Sequence, residues 1–128
     1  MIMVEIDSKN PELDRYTIEA IVDHLKNSGA PITYGELAEK VGALRGETMS
    51  PDGFAHALGR IQRYCKGLGL PSLPALVVNR ETSLPGPGFM ECYADIAPNT
   101  ADIGARVIVK GEQACCRECA DWQALLDL

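Results

Sequence analysis

Residues 54–66 read FAHALGRIQRYCK. At about 100° per residue, Phe54, Leu58, Ile61 and Cys65 fall within one narrow arc, with Ala57 and Tyr64 beside it. His56, Arg60 and Arg63 recur at i, i+4 and i+7 on the other side. This spacing predicts a helix that buries its apolar face and presents two guanidiniums and an imidazole. Such a face suits an anionic partner: arginines reach phosphates, and a histidine can reach a base edge. Lys40, Arg45 and Arg80 lie in the same middle region.

The other residues that could do chemistry are cysteines. Cys116 and Cys119 have C-x-x-C spacing, Cys115 adjoins them, and Cys92 stands upstream. Four thiols could hold zinc, but no second C-x-x-C pair exists. Cys115, Cys119 and Trp122 fit the inner face of an amphipathic helix, and cysteine packs as a small apolar residue. The expectation is therefore a structural role and no metal or other cofactor. Whether Cys92, Cys115, Cys116 and Cys119 approach one another is a question for the fold. His24 and His56 fall on different predicted helices, with no triad beside either. Pro85-Gly86-Pro87-Gly88 lacks the helix and lysine that come after a phosphate-binding loop.

Charge is unevenly spread. The 128 residues carry a net charge of −6, yet residues 40–80 carry +4 and the remainder −10. The pattern is a basic middle on an acidic body. The length fits one domain, and the 46% apolar content fits a packed core. No apolar run is long enough for a membrane span, and the acidic start MIMVEIDSKN does not read as a secretion signal. Five cysteines, an odd number, argue against a disulfide framework. These features predict a cytoplasmic protein.

The elements that would position the basic face are legible in order. Asn10-Pro11 reads as cap and first turn of a helix with Ile18, Ile21, Val22 and Leu25 on one stripe, ending at Asn27-Ser28-Gly29. Thr33-Tyr34-Gly35-Glu36 is a capping box opening a short helix that Gly42 would stop. Ser50-Pro51 opens the third helix, and Gly67 and Gly69 end it. Residues 75–80 read as a strand, 81–88 as a stiff loop, and 89–93 as a returning strand. The stretch 94–102 is irregular around Pro98, and Ile103–Val109 fits helix or strand equally. A last helix is expected from about Glu112, with Cys115, Cys119, Trp122 and Leu126 inward. This order is that of a winged helix-turn-helix: an α+β, mainly α domain with an added C-terminal helix. We divide the single domain 1–128 into an N-terminal helix (1–30), a winged-helix-like core (31–89) and a C-terminal extension (90–128).

Three stretches resemble the DNA-binding domain of O6-alkylguanine-DNA alkyltransferases and alkyltransferase-like proteins. Ile32–Gly42 (ITYGELAEKVG) resembles the helix that opens that domain, and Phe54–Gly59 (FAHALG) its recognition helix. Pro74–Arg80 (PALVVNR) is similar to the stretch bearing that family's Pro-Cys-His-Arg-Val active site, and Ser83-Leu84-Pro85-Gly86 fits the family's pattern after that strand. The resemblance spans about residues 31–89 and implies a three-helix scaffold with a wing. It also implies that Tyr34 matches the tyrosine contacting a phosphate beside the flipped nucleotide, and that His56 stands where the intercalating arginine would be. Ala75, Leu76 and Val77 stand where the family has cysteine, histidine and arginine. The alkyl-accepting thiol is absent, so no enzymatic activity is expected.

Two functions are compatible with these features. One is a non-catalytic module binding duplex or single-stranded DNA through Tyr34, Lys40, Arg45, His56, Arg60, Arg63 and Arg80. The other is a small acidic adaptor or inhibitor that binds a protein, such as a mobile-element factor acting on a host nuclease, through the apolar loop 68–74 and the loop 84–89.

Overall fold

The computed structural model describes residues 11–96 and 104–127. The expected Asn10 cap, residues 97–102 of the irregular stretch and Ile103 lie outside them. The described chain is a mainly helical small domain with two short parallel strands.

Helix α1 spans Pro11–Ser28. Its stripe is inward as the spacing requires: Ile18, Ile21, Val22 and Leu25 are all buried. Gly29 closes it in the left-handed region (φ 68°), its amide donating to the Leu25 carbonyl at 2.8 Å. Strand β1 is Ile32–Thr33, and α2 follows at Tyr34–Arg45. The capping box is formed: the Glu36 amide donates to Thr33 Oγ1, and the Thr33 amide to Glu36 Oε1, each at 3.1 Å. Gly42 does not stop this helix. The helix continues to Arg45, and Gly46 (φ 73°) is the left-handed cap. Gly42 serves another purpose, because a Cβ there would lie 2.6 Å from the Glu47 carbonyl oxygen where the chain folds back.

A 3-10 turn at Pro51–Phe54, capped by Ser50, leads into α3, Ala55–Leu68. The expected inner face is realised, with Phe54, Leu58, Ile61 and Cys65 buried alongside Ala57 and Tyr64. Gly69 caps α3 in the left-handed region.

The predicted β-hairpin is corrected. Leu73–Leu76 form a 3-10 turn, which Pro74 near its start favours. Only Val77–Val78 form a strand, β2. It pairs in parallel with β1, Ile32 opposite Val77 and Thr33 opposite Val78. At Asn79 the chain turns on itself. The Asn79 amide donates to the Leu84 carbonyl, the Ser83 amide to the Asn79 carbonyl, and the Glu81 amide to Asn79 Oδ1, all at 2.8 Å. Residues 89–93 are helical rather than a returning strand: α4 runs from Pro87 to Ile96. Proline at the first position favours this start, and Phe89 and Cys92 bury at helical spacing.

The tail is also corrected. Helix α5 begins at Ala105, ends at Glu118, and turns Ile108, Val109, Gln113 and Cys116 inward. Cys115 is exposed. Cys119 is extended (ψ 132°), and a separate helix α6, Trp122–Leu126, buries Trp122 and Leu125. That break resets the helical phase, so the even spacing of Cys115, Cys119 and Trp122 does not correspond to one face.

Two apolar clusters result. The larger joins α1, α2 and α3 with Ile32, Leu76, Val77, Cys116, Trp122 and Leu125. The smaller comprises Ala75, Phe89, Ile108 and Val109, with Leu84, Met90 and Tyr93 packed on it. Polar bonds fasten α5 to the chain before β2. Gln113 Nε2 donates to the Ala75 carbonyl at 2.8 Å, and the Ser72 amide donates to Glu112 Oε1 at 2.8 Å.

Candidate functional site

The N-terminal half of α3 faces two adjacent cavities. The first is a cleft of about 400 Å³ between Tyr34 at the start of α2, Ala55, Leu58, Gly59 and Gln62 of α3, Pro74, Asn79, and Pro85, Gly86, Gly88 and Phe89. Its walls are chiefly apolar, with Tyr34, Asp52, Gln62 and Asn79 adding polar groups. The second is a groove of about 330 Å³ between α3, which contributes His56, Gly59, Arg60 and Arg63, and α4, which contributes Gly88, Glu91 and Cys92. Ala55, Gly59 and Gly88 line both.

Local bonds fix the walls. The Gly86 amide donates to the Tyr34 hydroxyl at 2.8 Å, which holds the loop against α2. A Cβ at Gly86 would lie 3.2 Å from that hydroxyl, so the approach suits glycine. Gln62 is buried and donates from Nε2 to the Phe89 carbonyl at 3.3 Å, joining α3 to α4. Phe89 and Tyr93 stack at 5.7 Å on α4.

The sequence-predicted cations are distributed unequally. His56, Arg60 and Arg63 share the groove. His56 and Arg63 are exposed. Arg60 is not an outward residue without a structural duty. Its Nε and one terminal nitrogen donate to the two oxygens of Asp14 at 2.8 and 2.7 Å, and Tyr64 adds its hydroxyl at 2.9 Å. The reason is local: Asp14 is buried within the stripe of α1 and requires a cation. Lys40 pairs with Asp23 at 3.0 Å, which holds the Asp23 carboxyl below its ordinary range. Arg45 pairs with Glu47 at 3.1 Å and reaches the Met49 sulfur at 3.6 Å. Neither Lys40 nor Arg45 lines the two cavities. Tyr34 and Arg80 meet in a third hollow with Asn79, Glu36, Glu39 and Glu81, so Arg80 stands among carboxylates.

Cys65 and Cys116 belong to the packed core, whereas Cys115 is exposed. Burial pushes the Cys65 thiol up to about 12, and Cys116 is raised further by burial and by nearby Cys65. Cys116 Sγ donates to the Ser72 carbonyl at 3.5 Å. Thiols held protonated in this way are poor nucleophiles and poor ligands. Among the described residues no group of three or more His, Cys, Asp or Glu is placed to hold a metal ion. Ala75, at the position of the resembled family's acceptor cysteine, is fully buried.

Asp14, Gly59, Gln62 and Asn79 were missed from sequence. Asp14 carried a signal: a carboxylate in register with Ile18, Ile21 and Leu25 implies a buried partner. Gly59, a glycine in the middle of a strongly periodic helix, carried another.

Fold and site together define a small helical domain whose third helix borders an apolar cleft and a polar groove lined by His56, Arg60, Arg63 and Glu91. Among the described residues no helix is long and apolar enough to cross a membrane. No protein-family model matches the chain, and neither a curated protein nor a solved structure matches it significantly.

Proposed function

We propose that the protein is a non-catalytic nucleic-acid-binding module of winged-helix type. Helix α3 takes the part of the recognition helix, and the compact loop 79–86 stands in place of a two-stranded wing. The supporting observation is the groove in which His56 and Arg63 are exposed beside an apolar cleft. Cations along a groove supply phosphate contacts, and the cleft offers apolar surface to bases. Arg60 positions α3 against α1 and contributes little net charge, since Asp14 balances it. Lys66, exposed one turn beyond Arg63, extends the cationic side. The burial of Ala75 supports a role without alkyl transfer. A reducing cytoplasm suits five cysteines that remain thiols.

A protein-binding adaptor is the second reading. The specific observation favouring it is that Lys40, Arg45 and Arg60 each already hold an acid. Fluorescence anisotropy with labelled DNA across a salt series separates the two. The first reading expects affinity that falls with salt, and Arg63→Ala flattens the logarithmic slope by about 0.7 on single strands or 0.9 on duplex. Affinity absent at low salt refutes it and leaves the adaptor.

A further inference from the structure

Resting on the nucleic-acid reading, we propose that the ligand is single-stranded, and that its backbone crosses α3 at Gly59 along the groove between α3 and α4.

Helix α4 lies beside α3, joined to it by the Gln62–Phe89 bond and by the Cys92 thiol, 3.9 Å from the Gly59 carbonyl. One helix, about 10–12 Å across, fills a major groove about 12 Å wide. Two helices packed about 8–10 Å apart do not enter it side by side. Insertion of α3 into duplex DNA is therefore obstructed along its α4 flank. The charge is also one-sided. His56 and Arg63 line the α3 bank, whereas Glu91 lines the α4 bank and Asp52 the adjoining cleft. One row of phosphates finds the Arg63 guanidinium and the His56 imidazole there, and a second row would meet Glu91 or Asp52.

Gly59 is the independent observation. It lies in the middle of α3, where alanine would stabilise the helix. A Cβ built on it would meet no atom within 4 Å, and the same holds for Gly88 across the groove. Packing therefore does not demand a glycine at either position, and the same is true of Gly111 inside α5. What sets Gly59 and Gly88 apart is their place, since both border both cavities, where a bare backbone lets a ligand approach closely.

The test uses the full chain and a labelled mixed-sequence strand of about 16 nucleotides, alone and annealed as a blunt duplex, at about 50 mM salt. The single strand should bind at least about tenfold more tightly than the duplex. Gly59→Ala should raise the melting temperature by about 4 °C yet weaken single-strand binding about tenfold. Equal or tighter binding to the duplex overturns the single-strand inference while leaving the nucleic-acid reading in place. Unchanged affinity in Gly59→Ala overturns the path across Gly59. Binding to neither probe overturns the nucleic-acid reading, and this inference with it.

Discussion

Asp14→Asn should be among the most damaging single-atom-scale changes in this protein. Asp14 is 3% exposed, and its carboxylate accepts from Arg60 twice and from Tyr64 once. The amide keeps the shape but removes the charge that balances a guanidinium whose side chain is only 18% exposed. Breaking a buried pair in this way costs about 3–5 kcal/mol. Summing three charge-assisted bonds at about 1.5–3 kcal/mol each would give more, but they share one carboxylate and are not independent. We therefore expect a loss of about 3 kcal/mol, from a total stability on the order of 10 kcal/mol for a chain of this size. Urea unfolding followed through the single tryptophan, Trp122, which is buried against this core, should show the midpoint falling by about 1–2 M. Replacing the whole set, Asp14→Leu with Arg60→Met and Tyr64→Phe, should recover most of the loss, since an apolar group needs neither a balancing charge nor an acceptor for the Tyr64 hydroxyl. A cost for Asp14→Asn below about 1 kcal/mol, the value of an exposed pair, would refute the reasoning. Arg60→Ala is, for the same reason, unsuitable as a fold-neutral probe of binding.

Gly42→Ala should lower the melting temperature despite alanine's better helix propensity, because its Cβ would meet the Glu47 carbonyl at 2.6 Å; thermal unfolding beside Gly59→Ala, where space is open, gives opposite signs. Thr33→Ala should cost about 1 kcal/mol by thermal or urea unfolding, through loss of the capping box. Glu36 is held below the ordinary glutamate value of 4.5, chiefly by the Thr33 backbone amide, so its contribution is present above that value and lost as pH falls through the lowered one. The stability curves of wild type and Glu36→Gln, measured by urea unfolding at a series of pH values, should converge on acidification through that range. With a maleimide under native conditions, Cys115 should react first while Cys65 and Cys116 require denaturant, and Cys115→Ser should abolish the fast phase seen by mass spectrometry.

Local patterns made the first three helices legible. The stripe Ile18–Leu25, the Thr33–Glu36 capping box and the arc Phe54–Cys65 each express a bond or a burial that involves neighbours in sequence. What failed depended on distant partners. Val77–Val78 form a strand only because Ile32–Thr33 lie alongside, and nothing near residue 77 announces that parallel pairing. Residues 89–93 do carry a local helical signal, since Phe89, Cys92 and Tyr93 stand at i, i+3 and i+4 just after Pro87, but it spans only five residues and the strand reading overrode it. For the site, the spacing put His56, Arg60 and Arg63 on one side of α3, and all three line the groove beside α4. It could not reveal that Arg60 serves Asp14, which is 46 residues away in sequence.

The β1–β2 ladder has a consequence for how the chain folds. Its partners are separated by about 45 residues, and the Tyr34–Gly86 bond beside it spans 52. Closing so long a loop costs entropy before any contact compensates, and a pairing of two residues a side returns little. Helices α1, α2 and α3 must therefore bring Ile32 and Val77 together through their own packing before the ladder can form. On this reasoning the cleft walls Tyr34, Asn79 and Gly86 should come together only after the helices have packed. Substitutions at Tyr34 or Gly86 should then accelerate unfolding and leave the folding rate nearly unchanged, placing the weakest link of the native state at the cleft.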